Sequence, residues 1–161
     1  MTHRLLSHRS AWLAQIGASR HKLVLLTGVQ DTSVAIANVR RMVPGCNVLN
    51  LSLALSQRLL DAPSHRRPTQ APILLADLLQ GQEPLLLYAI EILFDPSLQL
   101  EPLRALQAAS RSRILLVLWP GAYDHHTLTY AVPDHPEYRR YGPDDLADVL
   151  VIPAAELTPE A

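Results

Sequence analysis

A short apolar run that ends at a glycine and leads into a helical pattern constrains the fold of this chain more than any other feature. Residues 22–27 (KLVLLT) have the length and composition of a buried β-strand, and Gly28 follows them. Apolar residues then recur at helical spacing from about Ser33. Strand, glycine turn and helix form one unit of an α/β fold, and they are also the scaffold of a phosphate-binding P-loop.

Strands and helices continue to alternate along the chain. Further strands are predicted at 46–51, 84–90, 113–119, 127–131 and 149–153. Helices are predicted at 53–60, 73–79, 101–110 and 143–150, with the proline-rich segment 61–72 as an exposed connection. Asn50 or Ser52 is the expected cap of the first of these helices, and Thr69 that of the second. This alternation predicts a three-layer α/β fold with a mostly parallel sheet.

The whole chain, residues 1–161, is predicted to form one domain. Residues 1–20 are expected to contain an amphipathic helix, and residues 153–161 a frayed tail. The apolar runs are too short to cross a bilayer, and charged and polar residues interrupt the amino-terminal segment where a signal peptide would be apolar. We therefore expect a cytoplasmic protein without membrane contact. Cys46 is the single cysteine, which excludes an internal disulfide and predicts a small buried side chain.

Charge is distributed unevenly along the chain. Residues 1–70 carry a net charge of +7 and residues 71–161 a net charge of −8. Such asymmetry can mark a surface for a nucleic-acid or acidic partner. The alternative is that the two halves interleave in one sheet and largely neutralise each other.

The turn after the first strand keeps only part of a P-loop. In the pattern GxxxxGK[ST], Gly28 is retained, whereas Ser33, Val34 and Ala35 stand at the second glycine, the lysine and the Mg²⁺-binding hydroxyl. Lys22 is the only lysine of the chain, and it precedes the strand, so it cannot reach phosphates at the far end. The sequence therefore predicts a degenerate phosphate-binding turn, with an ordinary strand-to-helix turn as the alternative.

Asp31 weakens this turn further, because its carboxylate would lie near the phosphates and repel them. The candidate nucleotide-binding residues are Gly28, Asp31, Thr32 and Ser33.

The strand predicted at 84–90 is the candidate for the acidic strand of a P-loop protein. Tyr88 stands where an aspartate is expected, and Glu91 follows three residues later. A glutamate at a strand end can activate a water as a general base, so Glu91 is the candidate catalytic residue. The alternative is that Glu91 pairs with a nearby arginine.

Two further segments carry candidate interface or nucleic-acid residues. Arginines between a helix end and a strand can reach a phosphate of a neighbouring subunit, or can stabilise the helix end. Tyrosine, histidine and arginine clustered in a turn-rich segment suggest an interface or a nucleic-acid contact, with a loop packed on the sheet as the alternative. The residues concerned are Arg111, Arg113, His135, Tyr138, Arg139 and Arg140. Adjacent His125 and His126 are expected to be exposed loop residues rather than metal ligands.

The order of KLVLLTG, LNLSLALSQRLL, RRP, EILFDPSLQLEPLRALQAASRSRILLVLWPG and LTYAVPDHPEYRRY resembles the BrxF family. BrxF is the small P-loop protein of type 3 BREX (bacteriophage exclusion) phage-defence systems. The resemblance covers residues 20–141 and is strongest from Glu91 to Tyr141. It implies an ASCE-type, AAA-like core without an evident lid domain. The chain departs from the family at Val34, Ala35 and Tyr88, so ATP hydrolysis is not carried over.

These observations lead to the expectation of a non-catalytic or weakly nucleotide-binding accessory subunit of a BREX complex, with no bound cofactor and no metal. The first alternative is a genuine ATP- and Mg²⁺-binding NTPase that works with a partner. The second is a DNA-binding accessory protein of phage defence. The partners implied by the resemblance are a large AAA ATPase, a methyltransferase, a phosphatase-like protein and a helicase; DNA and a second copy of the chain stay open.

Overall fold

A five-stranded parallel sheet forms the centre of the computed structural model, which describes residues 22–157. The predicted amino-terminal helix lies outside these residues. The sheet consists of β1 (Leu23–Thr27), β2 (Asn47–Asn50), β3 (Leu85–Tyr88), β4 (Leu115–Leu118) and β8 (Val149–Pro153). Its order is β2-β3-β4-β1-β8, and every neighbouring pair is parallel. The predicted mostly parallel α/β sheet is confirmed.

Helices cover both faces of this sheet, which gives the three predicted layers. The helices are α1 (Thr32–Met42), α2 (Leu51–Leu59), α3 (Arg67–Leu79) and α4 (Pro102–Ala109). Helix α1 packs against one face, where Val24, Leu26 and Leu116 are buried. Helices α2, α3 and α4 pack against the other face, over Leu25 and Leu87. The three inner strands, β1, β3 and β4, consist almost entirely of buried leucine and valine, as a parallel sheet covered on both faces requires.

A second, antiparallel sheet is inserted between β4 and β8. It consists of β5 (Ala122–Asp124), β6 (Thr127–Tyr130) and β7 (Arg139–Tyr141), in that order. The predicted strand at 127–131 is therefore present, but it belongs to this separate sheet. Its residue Leu128 lies opposite Tyr141, and both side chains are buried in the same core as α2, α3 and α4.

Three local predictions are wrong. Residues 143–148 form turns rather than a helix. Helix α3 begins at Arg67, so Thr69 lies within its first turn instead of capping it. Pro68 suits the start of a helix, and Pro72 is accommodated inside it, so these prolines do not mark a loop as the sequence suggested.

The predicted frayed tail is also wrong as far as the structure describes it. Pro153 ends β8, and Ala154–Leu157 forms a short 3₁₀ helix. Leu157 is buried in the core with α1. Because β8 from the acidic half pairs with β1 from the basic half, the two halves do interleave in one sheet.

Candidate phosphate-binding turn and its surroundings

The carboxyl ends of the five parallel strands lie at one edge of the sheet, where α/β proteins place their ligands. β1 is followed by α1, which packs on one face of the parallel sheet. The neighbouring strand β4 is followed by the inserted sheet, whose residues Leu128 and Tyr141 pack on the other face of the parallel sheet. The crevice that such a reversal opens is therefore expected between the ends of β1 and β4. The turn at Gly28 stands on one side of this position and Trp119 on the other.

The β1–α1 turn is short, and an acidic residue caps the amino terminus of the helix that follows it. Gly28 has φ +68°, a conformation that favours glycine, and only three residues separate it from Thr32, where α1 begins. The Asp31 carboxylate accepts a hydrogen bond from the Val34 backbone N–H at 3.1 Å. The Ala35 N–H donates to the Asp31 carbonyl at 3.0 Å. Helix α1 thus begins before the positions that carry the lysine and hydroxyl of a P-loop.

This geometry limits what the turn can bind. In a P-loop the free N–H groups and the positive end of the helix dipole hold phosphate oxygens. Here a carboxylate of the chain itself occupies that end of α1. Thr32 and Ser33 are exposed in the first turn, Val34 is 49% exposed, and none of these three side chains carries the positive charge of the missing lysine. Ala35 is buried and carries no metal ligand.

Glu91 lies beyond the end of β3 on a separate turn. The chain reverses at Ala89 (φ +51°), and Glu91 begins a 3₁₀ helix, Glu91–Phe94, with its side chain exposed. Ser52 fixes this turn, since its N–H donates to the Ala89 carbonyl and its hydroxyl accepts from the Ile92 N–H. Burial raises the pKa of Tyr130, and the charges of Glu137 and Glu91 raise it further, so Glu91 lies close to the inserted sheet. No ion pair of Glu91 with an arginine is seen in the described residues.

Closely packed contacts around Trp119 form a joint between the end of β4 and the inserted sheet. The Trp119 indole N–H donates to the Thr129 carbonyl at 2.9 Å, and the ring is 2% exposed. Gly121 is required beside it, because a Cβ there would lie 1.7 Å from the same Thr129 oxygen. On the core side, Phe94 stacks on Tyr130 with ring centroids 3.7 Å apart.

Glu101 ties the last strand of the inserted sheet to α4. One of its carboxylate oxygens accepts from the Arg104 N–H at 2.8 Å and caps α4, while the other accepts from the Tyr141 hydroxyl. Burial and the hydrogen bond to Glu101 raise the pKa of Tyr141 well above its usual value. Trp119 was not among the sequence candidates, and Tyr141 was noted only as the last residue of the tyrosine- and arginine-rich segment. Their signal was an aromatic residue directly beside a strand end, which also fits ordinary core packing.

The candidate interface arginines do not converge on one site. Arg113 donates to the Ala109 carbonyl at 3.0 Å and to the Leu79 carbonyl, so it stabilises the carboxyl ends of α4 and α3. Arg139 donates to the Tyr138 carbonyl. Arg111 and Arg140 are exposed. The Glu137 N–H donates to His135 Nδ1 at 3.0 Å, which folds the exposed loop between β6 and β7.

His125 and His126 form the tip of the hairpin between β5 and β6, and His125 is 93% exposed. No group of three or more histidine, cysteine or acidic residues in residues 22–157 could hold a metal ion. Cys46 is buried as predicted, and this burial raises its pKa.

Comparison with known proteins finds no family model, no curated protein and no solved structure that matches the chain. Among the helices that the structure describes, none is long and apolar enough to cross a membrane.

Proposed function

We propose that this protein is a P-loop-like accessory subunit of a BREX phage-defence assembly that does not turn over nucleotide. The defence context rests on the resemblance to the BrxF family in residues 20–141. The non-catalytic role rests on the chemistry of the β1–α1 turn.

The strand order supports the ASCE-type part of the proposal. In that class an additional strand separates the strand of the phosphate-binding turn from the acidic strand. Here β4 lies between β1, which leads to Gly28, and β3, which leads to Glu91. This order supports the ASCE-type core that the resemblance implies, and the departures from the P-loop pattern at Val34, Ala35 and Tyr88 lie at its functional positions.

The observation that carries the proposal is the Asp31 cap. A triphosphate at the start of α1 would have to displace a carboxylate that is bonded to the Val34 N–H, and would then face its negative charge. The lysine that offsets phosphate charge is absent at Val34, and Mg²⁺ finds no hydroxyl at Ala35. Each of these losses removes electrostatic stabilisation on which phosphoryl transfer depends.

Titration calorimetry with ATP tests the proposal, with and without Mg²⁺, on the full chain and on Asp31→Asn. Asparagine still caps a helix but carries no charge, so this variant removes the repulsion between residue 31 and the phosphates while it keeps the helix cap. We expect no Mg²⁺-dependent binding by either protein, because the lysine and the hydroxyl are missing from both. Mg²⁺-dependent ATP turnover that Glu91→Gln abolishes would overturn the proposal in favour of a genuine NTPase.

A further inference from the structure

The outer edge of β8 is open in the part of the chain that the structure describes. Residues 22–157 contain no strand that pairs with β8 other than β1. Its residues Val149, Leu150 and Val151 are only half-buried, and no charged side chain interrupts the strand. An apolar edge strand without charges is a template for another strand. The opposite edge strand, β2, begins and ends with the polar residues Asn47 and Asn50.

A cavity of about 220 Å³ lies beside this edge. It is lined by Tyr123, His126, Pro143, Leu146, Val149 and Val151. Val149 and Val151 are in register with Leu23 and Leu25, so they project from the same face of the sheet as these core residues. A strand added to β8 would place every second side chain on that face, next to the cavity. The volume suits a single large apolar side chain, because whole small-molecule sites are larger.

The hairpin above the cavity holds His126 there at a conformational cost. His125 and His126 are the two loop residues between β5 and β6, with φ +49° and +60°. Two positive φ values in a two-residue hairpin loop favour Asn-Gly, and histidine is strained there. The Tyr123 hydroxyl lies 3.5 Å from His126 Nδ1, so the lining of the cavity combines two hydrogen-bonding groups with apolar side chains.

Acidic residues are adjacent in sequence to three of the residues that line the cavity. Asp124 precedes the hairpin loop, Asp144 follows Pro143, and Asp148 precedes β8, all exposed. Residues 141–157 contain no lysine or arginine. A partner segment with basic residues would therefore be complementary to this edge, and an acidic one would be repelled.

We propose that β8 and its cavity bind an extended, basic segment of a partner protein, which adds a strand to the sheet and inserts one apolar side chain below Tyr123 and His126. The inference rests on the proposed function in that an accessory subunit requires a partner. It does not rest on the state of the β1–α1 turn, so Mg²⁺-dependent ATP turnover would overturn the proposed function and leave this site unaffected.

Selection of the full chain against a displayed library of random linear peptides tests the site, followed by titration of an enriched synthetic peptide. We expect enriched peptides with alternating apolar and basic residues, and shifts of the Val149–Ile152 amide resonances on binding. Asp144→Lys combined with Asp148→Lys should weaken binding about tenfold, since each exposed charge contributes modestly. Asp134→Lys, an exposed acid in the loop between β6 and β7, is the matched control and should bind as the original chain does.

His126→Gly separates binding from folding. Glycine adopts positive φ without strain, so this variant should have a higher melting temperature while it binds the peptide more weakly. The proposal is overturned if no peptide is enriched, if the amide shifts lie away from β8, or if the paired lysine variant and His126→Gly bind the peptide unchanged.

Discussion

The β1–α1 turn and the inserted sheet satisfy their polar groups in opposite ways. At the turn, Asp31 bonds a backbone group only three residues away, at the surface. At the inserted sheet, the Tyr141 hydroxyl donates to Glu101, forty residues earlier in the chain, and the buried Trp119 beside the sheet donates to the Thr129 carbonyl. The first arrangement depends on a few neighbouring residues, whereas the second exists only when the whole fold is assembled. Substitutions in the turn should therefore cost little stability, whereas substitutions around Trp119 and Tyr141 should cost more.

The two glycines of these regions provide the sharpest test of this difference. Gly121→Ala places a Cβ 1.7 Å from the Thr129 carbonyl oxygen, so the backbone must move. We expect a loss of about 3 kcal/mol or more in the free energy of unfolding, at the upper end of single substitutions. Gly28→Ala meets open space and is penalised only by its φ of +68°, by about 1 kcal/mol. Urea denaturation measures both, and equal losses would contradict the comparison.

Tyr141→Phe removes the hydroxyl that bonds Glu101 and should cost about 1.5–3 kcal/mol at neutral pH, as expected for a bond to a charged group. The fold raises the pKa of Tyr141 above its value in the unfolded chain, about 10. The neutral phenol is therefore favoured in the folded state. Its contribution is complete below pH of about 10 and is lost as the pH rises through the folded pKa.

Unfolding measured at several alkaline pH values should show a steeper loss of stability for the original chain than for Tyr141→Phe. Tyr123→Phe removes a hydroxyl at the exposed end of the hairpin and is the matched control. Parallel curves for the original chain and Tyr141→Phe would show that the hydroxyl is not held as described.

Asp31→Ala removes the cap of α1 and should cost about 1 kcal/mol. Asp31→Asn retains an acceptor for the Val34 N–H and should cost much less. The measurement is the midpoint of thermal unfolding for both variants. If alanine and asparagine were equally destabilising, the negative charge and not the cap would be what stabilises the helix start.

Val34→Lys restores a lysine at the position where a P-loop has one. Val34 is 49% exposed, so the change in stability should be within about 0.5 kcal/mol. We expect no gain of ATP binding in calorimetry, because the Asp31 carboxylate still occupies the helix end. Recovery of Mg²⁺-dependent binding by this single substitution would show that the turn is closer to a working P-loop than its geometry suggests.

Features encoded within a few neighbouring residues were predictable from the sequence. The strands at 22–27 and 84–90, the Asn50 cap and the start of α4 near Glu101 are all confirmed. The helix predicted at 143–150 failed, because two aspartates and the preceding Gly-Pro favour turns over a short amphipathic pattern. The start of α3 was predicted wrongly, because prolines in its first turns resemble those of a loop.

The candidate site was predictable only in its composition. The missing lysine and hydroxyl can be read directly from residues 33–35, but the bond from Val34 to Asp31 depends on where α1 begins. The joint around Trp119 was not predictable. Its partners Thr129, Tyr130 and Tyr141 become neighbours only through the packing of the second sheet on the first.

The position of β1 has a consequence for how the chain is made. The first described strand lies inside the sheet, and its two neighbours are β4, at residues 115–118, and β8, at 149–153. During synthesis β1 therefore leaves the ribosome long before either neighbour exists. Its backbone N–H and C=O groups stay unpaired on one side until β4 has emerged, and on the other side until β8 has emerged. A chain shortened before β8 would keep the pairing of β1 with β4 but would leave the other edge of β1 without a neighbouring strand.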